Sequence, residues 1–304
     1  MTQPNDLSVD LTALTSRSYR VRALPHPWRW VAGVVITVLL VLLGVAFANG
    51  QIDWPMVAKF FAAPTILKGI VTTLEISALS MVLGLVLGVV FAMMKQSSNP
   101  VSKVVAEGYI WVFRGTPVLL QLLLWFNIAL VFPTIGFGGF SARTIDVVTP
   151  FVAAVLGLGI NEGAYMTEVV RAGLLSVDKG QAEAAATIGL SPFQTFRRIT
   201  LPQTLRVIIP PIGNSAIGML KTSSLASTIA ASELVNAANQ IYFVNGAVIE
   251  LLIVAGIWYL AFTTVLSVIQ YFIERHFGRG YNSSGAIRKG QGATAALEVA
   301  DGGK

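Results

Sequence analysis

Residues Gly69 to Met94 read GIVTTLEISALSMVLGLVLGVVFAMM, 26 residues with a single charge, Glu75. A helix rises about 1.5 Å per residue, so roughly 20 apolar residues cross a bilayer core of about 30 Å. A helix also satisfies every backbone N–H and C=O within its own segment, which hydrocarbon demands. The strands of a membrane β-barrel would instead alternate over segments of about 10 residues, and no such alternation occurs. The stretch reads as a membrane-spanning helix.

Working outward, comparable runs lie at about Trp30 to Ala48, Phe113 to Phe132, Phe151 to Val170, Val207 to Ala231 and Val248 to Ile273. The expected fold is an all-α polytopic membrane protein with about six transmembrane helices. Composition agrees: hydrophobic residues make up 54% and charged residues 12%, with a mean hydropathy of +0.70. A soluble domain carries about 25% charged residues. There is no cysteine, which excludes disulfides and thiolate metal sites, and the two histidines, His26 and His276, lie outside the apolar runs. No metal site and no histidine relay is expected. The net charge of +6 sits in short loops between spans. That is what the positive-inside rule produces, so the basicity reports topology rather than nucleic-acid binding.

Counting those basic residues orients the chain. Arg17, Arg20, Arg22, Arg29, Lys95, Lys103, Arg171, Lys179, Arg197, Arg198, Arg206, Arg275 and Arg279 fall on one side, against Lys59, Lys68 and Arg143 on the other. Both termini are therefore expected in the cytoplasm. Residues 1–28 form a polar cytoplasmic tail, and 29–68 an extra N-terminal helix with an outer connection carrying a short surface helix. Residues 69–277 form the main transmembrane domain, and 278–304 a disordered cytoplasmic tail rich in Gly, Ser and Ala. Ala46-Phe47-Ala48 resembles a cleavage site, but the long polar tail and the flanking Trp28 and Trp30 favour a retained helix over a cleaved leader.

The cytoplasmic connection after the fourth span is the most informative. Gln181 to Ile188 is Ala-rich and helix-forming. Gly189 suits a left-handed C-terminus, Ser191 an N-cap and Pro192 a first helical position, with the second helix ending before Leu201-Pro202. The result is a compact helical hairpin shaped to dock in another subunit.

Glu183-Ala184-Ala185, Gly189 and Ile199-x-Leu201-Pro202 match the EAA loop of ABC-importer permeases. Phe113-Arg114-Gly115-Thr116-Pro117 with Gln121, Asn161-Glu162-Gly163-Ala164-Tyr165 with Glu168 and Arg171, and Lys221-Thr222-Ser223-Ser224-Leu225 resemble motifs of the polar amino-acid branch. The likeness covers about residues 69–277. The extra first helix departs from the five-helix core of that branch, and Thr222 stands where an acidic or amide residue is frequent.

The resemblance implies a half-channel: two permease chains (this one twice, or with a relative), ATP-binding subunits inside, and an extracytoplasmic amino-acid-binding protein, all at a bacterial cytoplasmic membrane. ATP and Mg would sit on the partner, with no cofactor on this chain. Accordingly no Gly-x4-Gly-Lys-Ser/Thr loop occurs; Gly213 and Gly218 are followed by Met219-Leu220-Lys221. Glu183, Ala184, Ala185, Gly189 and Leu190 are the expected coupling residues, the small ones allowing close approach and Glu183 capping or pairing.

Charges inside spans cost a few kcal/mol near the centre, so each needs a reason. Glu75, Glu162 and Lys221, with Gln121, Asn161, Tyr165, Ser223 and Ser224, could line a polar pathway matching an amino acid's ammonium and carboxylate. Glu162 and Lys221 either contact ligand or pair with each other; Glu75, about two turns into its span, has the weaker claim. Glu168 and Arg171, spaced i,i+3, read as a structural or gating pair. Arg114 belongs near lipid phosphates, and Gly84 with Gly88 forms a helix-packing face. The rival class is a stand-alone ion-coupled transporter or channel. An intramembrane enzyme is remoter still, since nothing resembles an activated nucleophile.

Overall fold

The computed structural model describes residues 27–137 and 139–277; the two expected tails lie largely outside the described residues. The chain divides into a unit ending at Ile52 and a unit beginning at Asp53. Within the first, α1 (Pro27–Ala48) is a single helix without a polar face. Its Thr37 hydroxyl returns to Gly33 O at 2.9 Å, so even this group needs no outside partner.

The second unit starts with a short helix, α2 (Trp54–Phe61), whose N-terminus receives two carboxylates. Asp53 accepts from Met56 N at 3.0 Å, and Glu250 accepts from Asp53 N at 3.1 Å. Trp258 donates to Phe61 O at 3.0 Å and stacks on its ring at 4.9 Å, so the outer connection is tied to the last helix.

The central helix α3 (Pro64–Gln96) packs along α7 (Pro150–Leu175). The seam is built from glycine. A Cβ on Gly84 would lie 3.0 Å from Glu162 Cβ, and one on Gly88 would lie 2.9 Å from the Met166 carbonyl carbon. From the other side, Gly159 faces Leu83 and Gly163 faces Leu87. In lipid no hydrophobic drive joins two helices, so close van der Waals contact through small residues has to do it. The expected packing role of Gly84 and Gly88 is what the structure has.

Between these helices the chain departs from expectation. The span drawn from Phe113 to Phe132 is no single helix. α4 (Pro100–Gly115) and α5 (Val118–Phe126) meet at a bend of 102°. Pro117 is the cause: it lacks the N–H that would continue the ladder from Phe113 O. The outer loop expected from Pro133 to Pro150 holds a small antiparallel hairpin, β1 (Thr134–Phe137) and β2 (Phe140–Arg143), with Thr134 opposite Arg143, and then α6 (Thr144–Val147).

The cytoplasmic hairpin is α8 (Lys179–Thr187) followed by α9 (Pro192–Thr195). Contrary to expectation, the second arm does not stop before Leu201-Pro202. It runs through a π turn, Phe196–Thr200, directly into α10 (Leu201–Thr222). The wider turn accommodates a proline that would break an α ladder there. At the other end, the fifth span stops short of Ala231: α10 gives way at Ser223 to a 3-10 segment, Ser223–Ile229, closed by Ala230 at φ 56°. α11 (Leu234–Asn245) and α12 (Val248–Phe277) complete the unit.

Among the described residues three helices, α1, α3 and α12, are long and apolar enough to span on composition, or four if the bent α4–α5 pair is one span. α7 and α10 have 26 and 22 residues, long enough, but several of their polar residues line a cavity inside the protein. Ile76, Leu122, Ala153, Ala154, Leu158, Met219, Ala226 and Ile229 form the core beside it.

Candidate functional site

α7 and α10 face each other across a cavity of about 480 Å³. α7 contributes Leu158, Asn161, Glu162 and Tyr165; α10 contributes Asn214, Ser215, Gly218, Met219 and Thr222; Val118 closes one end. The glycine seam places the acid, because the Glu162 stem lies on the bare backbone of Gly84 and is pushed toward α10. Glu162 Oε1 is buried and has no hydrogen-bond partner. An unpaired carboxylate oxygen in a low-dielectric site is costly, which makes it a strong acceptor for an incoming donor. The Arg114 guanidinium lies over the ring of Tyr165 at 5.1 Å, a cation–π contact.

Of the expected pathway, the structure gathers Asn161, Glu162 and Tyr165 and leaves the rest outside. Glu75 is on an exposed stripe of α3 with Val71, Val82 and Val86. Lys221 is exposed and makes no ion pair with Glu162, so the internal pair is not formed. Ser223 is fully buried and donates to Leu220 O at 2.7 Å, and Ser224 donates to Lys221 O at 2.7 Å. Both hydroxyls serve the helix break instead of the cavity. Gln121 lines a separate apolar hollow of about 280 Å³ with Phe113, Thr116 and Trp125, and touches the polar cavity only through Asn161.

Asn214 and Ser215 were missed. Their signal was available: Asn214-Ser215 interrupts the apolar part of the fifth span shortly after Pro210-Pro211. A buried acid elsewhere also escaped notice. Glu233 caps α11 through Val235 N at 2.9 Å and Asn236 N at 2.8 Å, and accepts from Tyr259 Oη at 3.0 Å. It was overlooked because it lies between spans, where a charge looks unremarkable in sequence.

Glu168 does meet Arg171, at 2.8 Å, but it also takes Lys95 from the end of α3 at 2.6 Å. The expected pair is a three-membered cluster fastening the seam at its cytoplasmic end.

In the hairpin, Asp178 caps α8 through Gly180 N at 2.7 Å. Gly189 adopts φ 78°, and the bonds Leu190 N to Ala185 O (3.1 Å) and Gly189 N to Ala186 O (3.0 Å) make a Schellman end. Ser191 and Gln194 form a reciprocal capping box with Pro192 at the first position. Glu183 and Ala184 are exposed, and Glu183 neither caps nor pairs among the described residues. Ala185 is 2% exposed, so it closes the hairpin from inside and presents nothing to a partner. Leu190 is half-buried, whereas Ile188 and Phe193 are 73% and 71% exposed, an apolar tip that the small-residue expectation did not include.

Residues 80–279 match the family of binding-protein-dependent transport system inner membrane components. The chain belongs to this family. The permease is 38% identical, over 98% of its length and 95% of the relative's, to the arginine transport system permease protein ArgU of Corynebacterium glutamicum. It is 35% identical to the histidine/lysine/arginine/ornithine transport system permease protein HisQ of Escherichia coli, over 71% of its own length and 94% of the other's. Among solved structures, an amino acid ABC transporter crystallised with histidines aligns with a TM-score of 0.65 at 33% identity, covering 75% of this permease and 100% of that chain. The permease is thus a multi-pass inner-membrane subunit of an ABC importer and not an enzyme; ATP is hydrolysed on a partner ATPase, and a binding protein serves the complex. The stand-alone transporter drops out.

Proposed function

We propose that the permease moves cationic L-amino acids into the cytoplasm through the cavity between α7 and α10. The observation that carries this is Glu162 Oε1, buried and unpartnered in a chamber of about 480 Å³ otherwise lined by amide, hydroxyl and apolar groups. A buried carboxylate wants a positive partner. Among the described residues no Lys or Arg lines the chamber, so a substrate's ammonium or basic side chain is the natural occupant. Arg114 at the margin, over Tyr165, suits the substrate's carboxylate. That the named relatives carry arginine, histidine, lysine and ornithine supports the same class.

Transport is driven from the hairpin. Its capped, rigid form and the exposed Glu183, Ala184, Ile188 and Phe193 suit a groove on the ATPase, where ATP and Mg are held. Because α9 continues through the π turn into α10, a push on the hairpin displaces the wall bearing Asn214, Ser215 and Thr222. Gly189 and Leu190 preserve the shape of the lever rather than touching the partner. A second permease chain completes the path, lipid surrounds the outward faces, including Val71, Val82 and Val86, and both termini are cytoplasmic.

The test is Glu162→Gln in the complete transporter reconstituted in proteoliposomes. Uptake of a basic amino acid should fall by more than about tenfold, the loss of a charge-assisted bond, and uptake of a neutral one far less. Equal losses for basic, neutral and acidic substrates would remove the proposal.

A further inference from the structure

Gln121 does not line the polar cavity, yet its geometry dictates what part of the cavity can bind. The 102° bend between α4 and α5 is the origin of this geometry. Pro117 has no N–H to offer Phe113 O, and that carbonyl is orphaned. Gln121 Nε2 fills the gap, its two N–H groups shared among Phe113 O at 3.1 Å, Thr116 O at 3.1 Å and Thr116 Oγ1 at 2.8 Å. The Thr116 hydroxyl has already given its proton to Val112 O at 2.8 Å, so toward Gln121 it can only accept. All three partners are acceptors, and only the amide nitrogen can serve them. Gln121 Oε1 must therefore point the other way, toward Asn161.

Asn161 is fixed in turn. Its Nδ2 donates to Gln121 Oε1 at 3.2 Å and to Phe113 O at 2.7 Å. Both of its N–H groups are consumed, since Nδ2 carries two. The atom of Asn161 left to serve the cavity is Oδ1, an acceptor, one residue from the unpartnered Glu162 oxygen.

We infer that Gln121 is a positioning residue for selectivity: by fixing the orientation of the Asn161 amide it makes that amide, like the neighbouring Glu162 carboxylate, an acceptor toward the cavity, favouring cationic over neutral ligands. This rests on the cavity being the substrate site. An asparagine free to turn would offer N–H as readily as C=O and would serve a neutral side chain equally well. The asparagine's identity alone therefore does not set the preference; the bend behind it does.

The experiment measures equilibrium binding of L-arginine and of its neutral isostere L-citrulline to the detergent-solubilised permease–ATPase complex, without the binding protein, so that only the membrane site discriminates. Gln121→Met keeps the volume and removes both hydrogen-bonding functions. The arginine-to-citrulline affinity ratio should fall about tenfold. Thr116→Val deletes one of the three acceptors and should lower the ratio by roughly twofold to threefold; it decides the matter if the methionine variant does not assemble. A residue with a merely structural role would weaken both ligands together and leave the ratio alone. Glu162→Gln is measured in parallel. If it lowers the ratio while both lock variants leave it unchanged, the role of Gln121 is refuted and the cavity stands. If Glu162→Gln itself leaves the ratio unchanged, the cavity assignment falls and takes this inference with it.

Discussion

α7 and α10 line the same cavity and are built in opposite ways. α7 is clamped: glycines on both sides of its seam with α3 let the backbones touch, Tyr109 from α4 donates to Ile160 O at 2.6 Å, and Lys95 and Arg171 close on Glu168 below. Its cavity-facing amide is locked by Gln121. α10 is also packed, with Ile208 on Gly173 of α7 and Gln270 of α12 donating to Pro210 O at 3.1 Å, but its own ladder is interrupted. It starts from a π turn, contains Pro210 and Pro211, which cannot donate to the carbonyls one turn earlier, and ends in a 3-10 segment. The Thr204 hydroxyl on it is buried with no partner. In the proposed mechanism the uninterrupted helix holds the recognition groups, and the interrupted one, continuous with the hairpin, carries the motion, so that displacing α10 need not scramble the α7 groups.

The largest expected effect breaks the fixed wall. Gly88→Leu would drive a side chain into the Met166 backbone, where nothing can yield. Overpacking of this kind costs about 1–3 kcal/mol or more, and the complex should fail to assemble, as read by yield on size-exclusion chromatography. Normal assembly and uptake would mean that α7 is not clamped. The next effect disconnects the moving wall. Replacing Ile188 and Phe193 together by Ser removes the apolar tip, and binding-protein-stimulated ATP hydrolysis and uptake should both drop by about tenfold or more, since such anchors carry most of the energy of an interface. Undiminished stimulation would show that the drive enters elsewhere. The smallest effect sharpens the contrast. Pro210→Ala with Pro211→Ala restores two backbone donors and stiffens α10. Uptake turnover should slow several-fold while the complex becomes more resistant to heat; faster turnover would say that α10 does not bend during transport.

The turn of the hairpin was legible in sequence. Gly189, Ser191 and Pro192 each act within a turn of themselves, through a cap and a left-handed φ that neighbours in the chain decide. The membrane class was equally plain, because hydrocarbon imposes its demand on every span separately. The cavity was only half legible. A charge inside an apolar run marks a site worth explaining, but Glu75, Glu162 and Lys221 carry that mark alike, and only Glu162 reaches the chamber. Which face a residue occupies depends on how its helix rolls against others. Ala185 failed for the same reason: a small residue in a docking loop looks like surface until the second arm folds over it.

The sequence by itself determined that this chain crosses the membrane repeatedly and carries a capped cytoplasmic hairpin, because both follow from forces acting within one segment or between near neighbours. Tertiary structure decided the rest: that Gly84 presses Glu162 toward α10, that the bend at Pro117 turns Gln121 onto Asn161, and that the hairpin runs unbroken into α10. These are contacts between residues about forty to eighty positions apart or a ladder continuing past a proline, and no local preference specifies either.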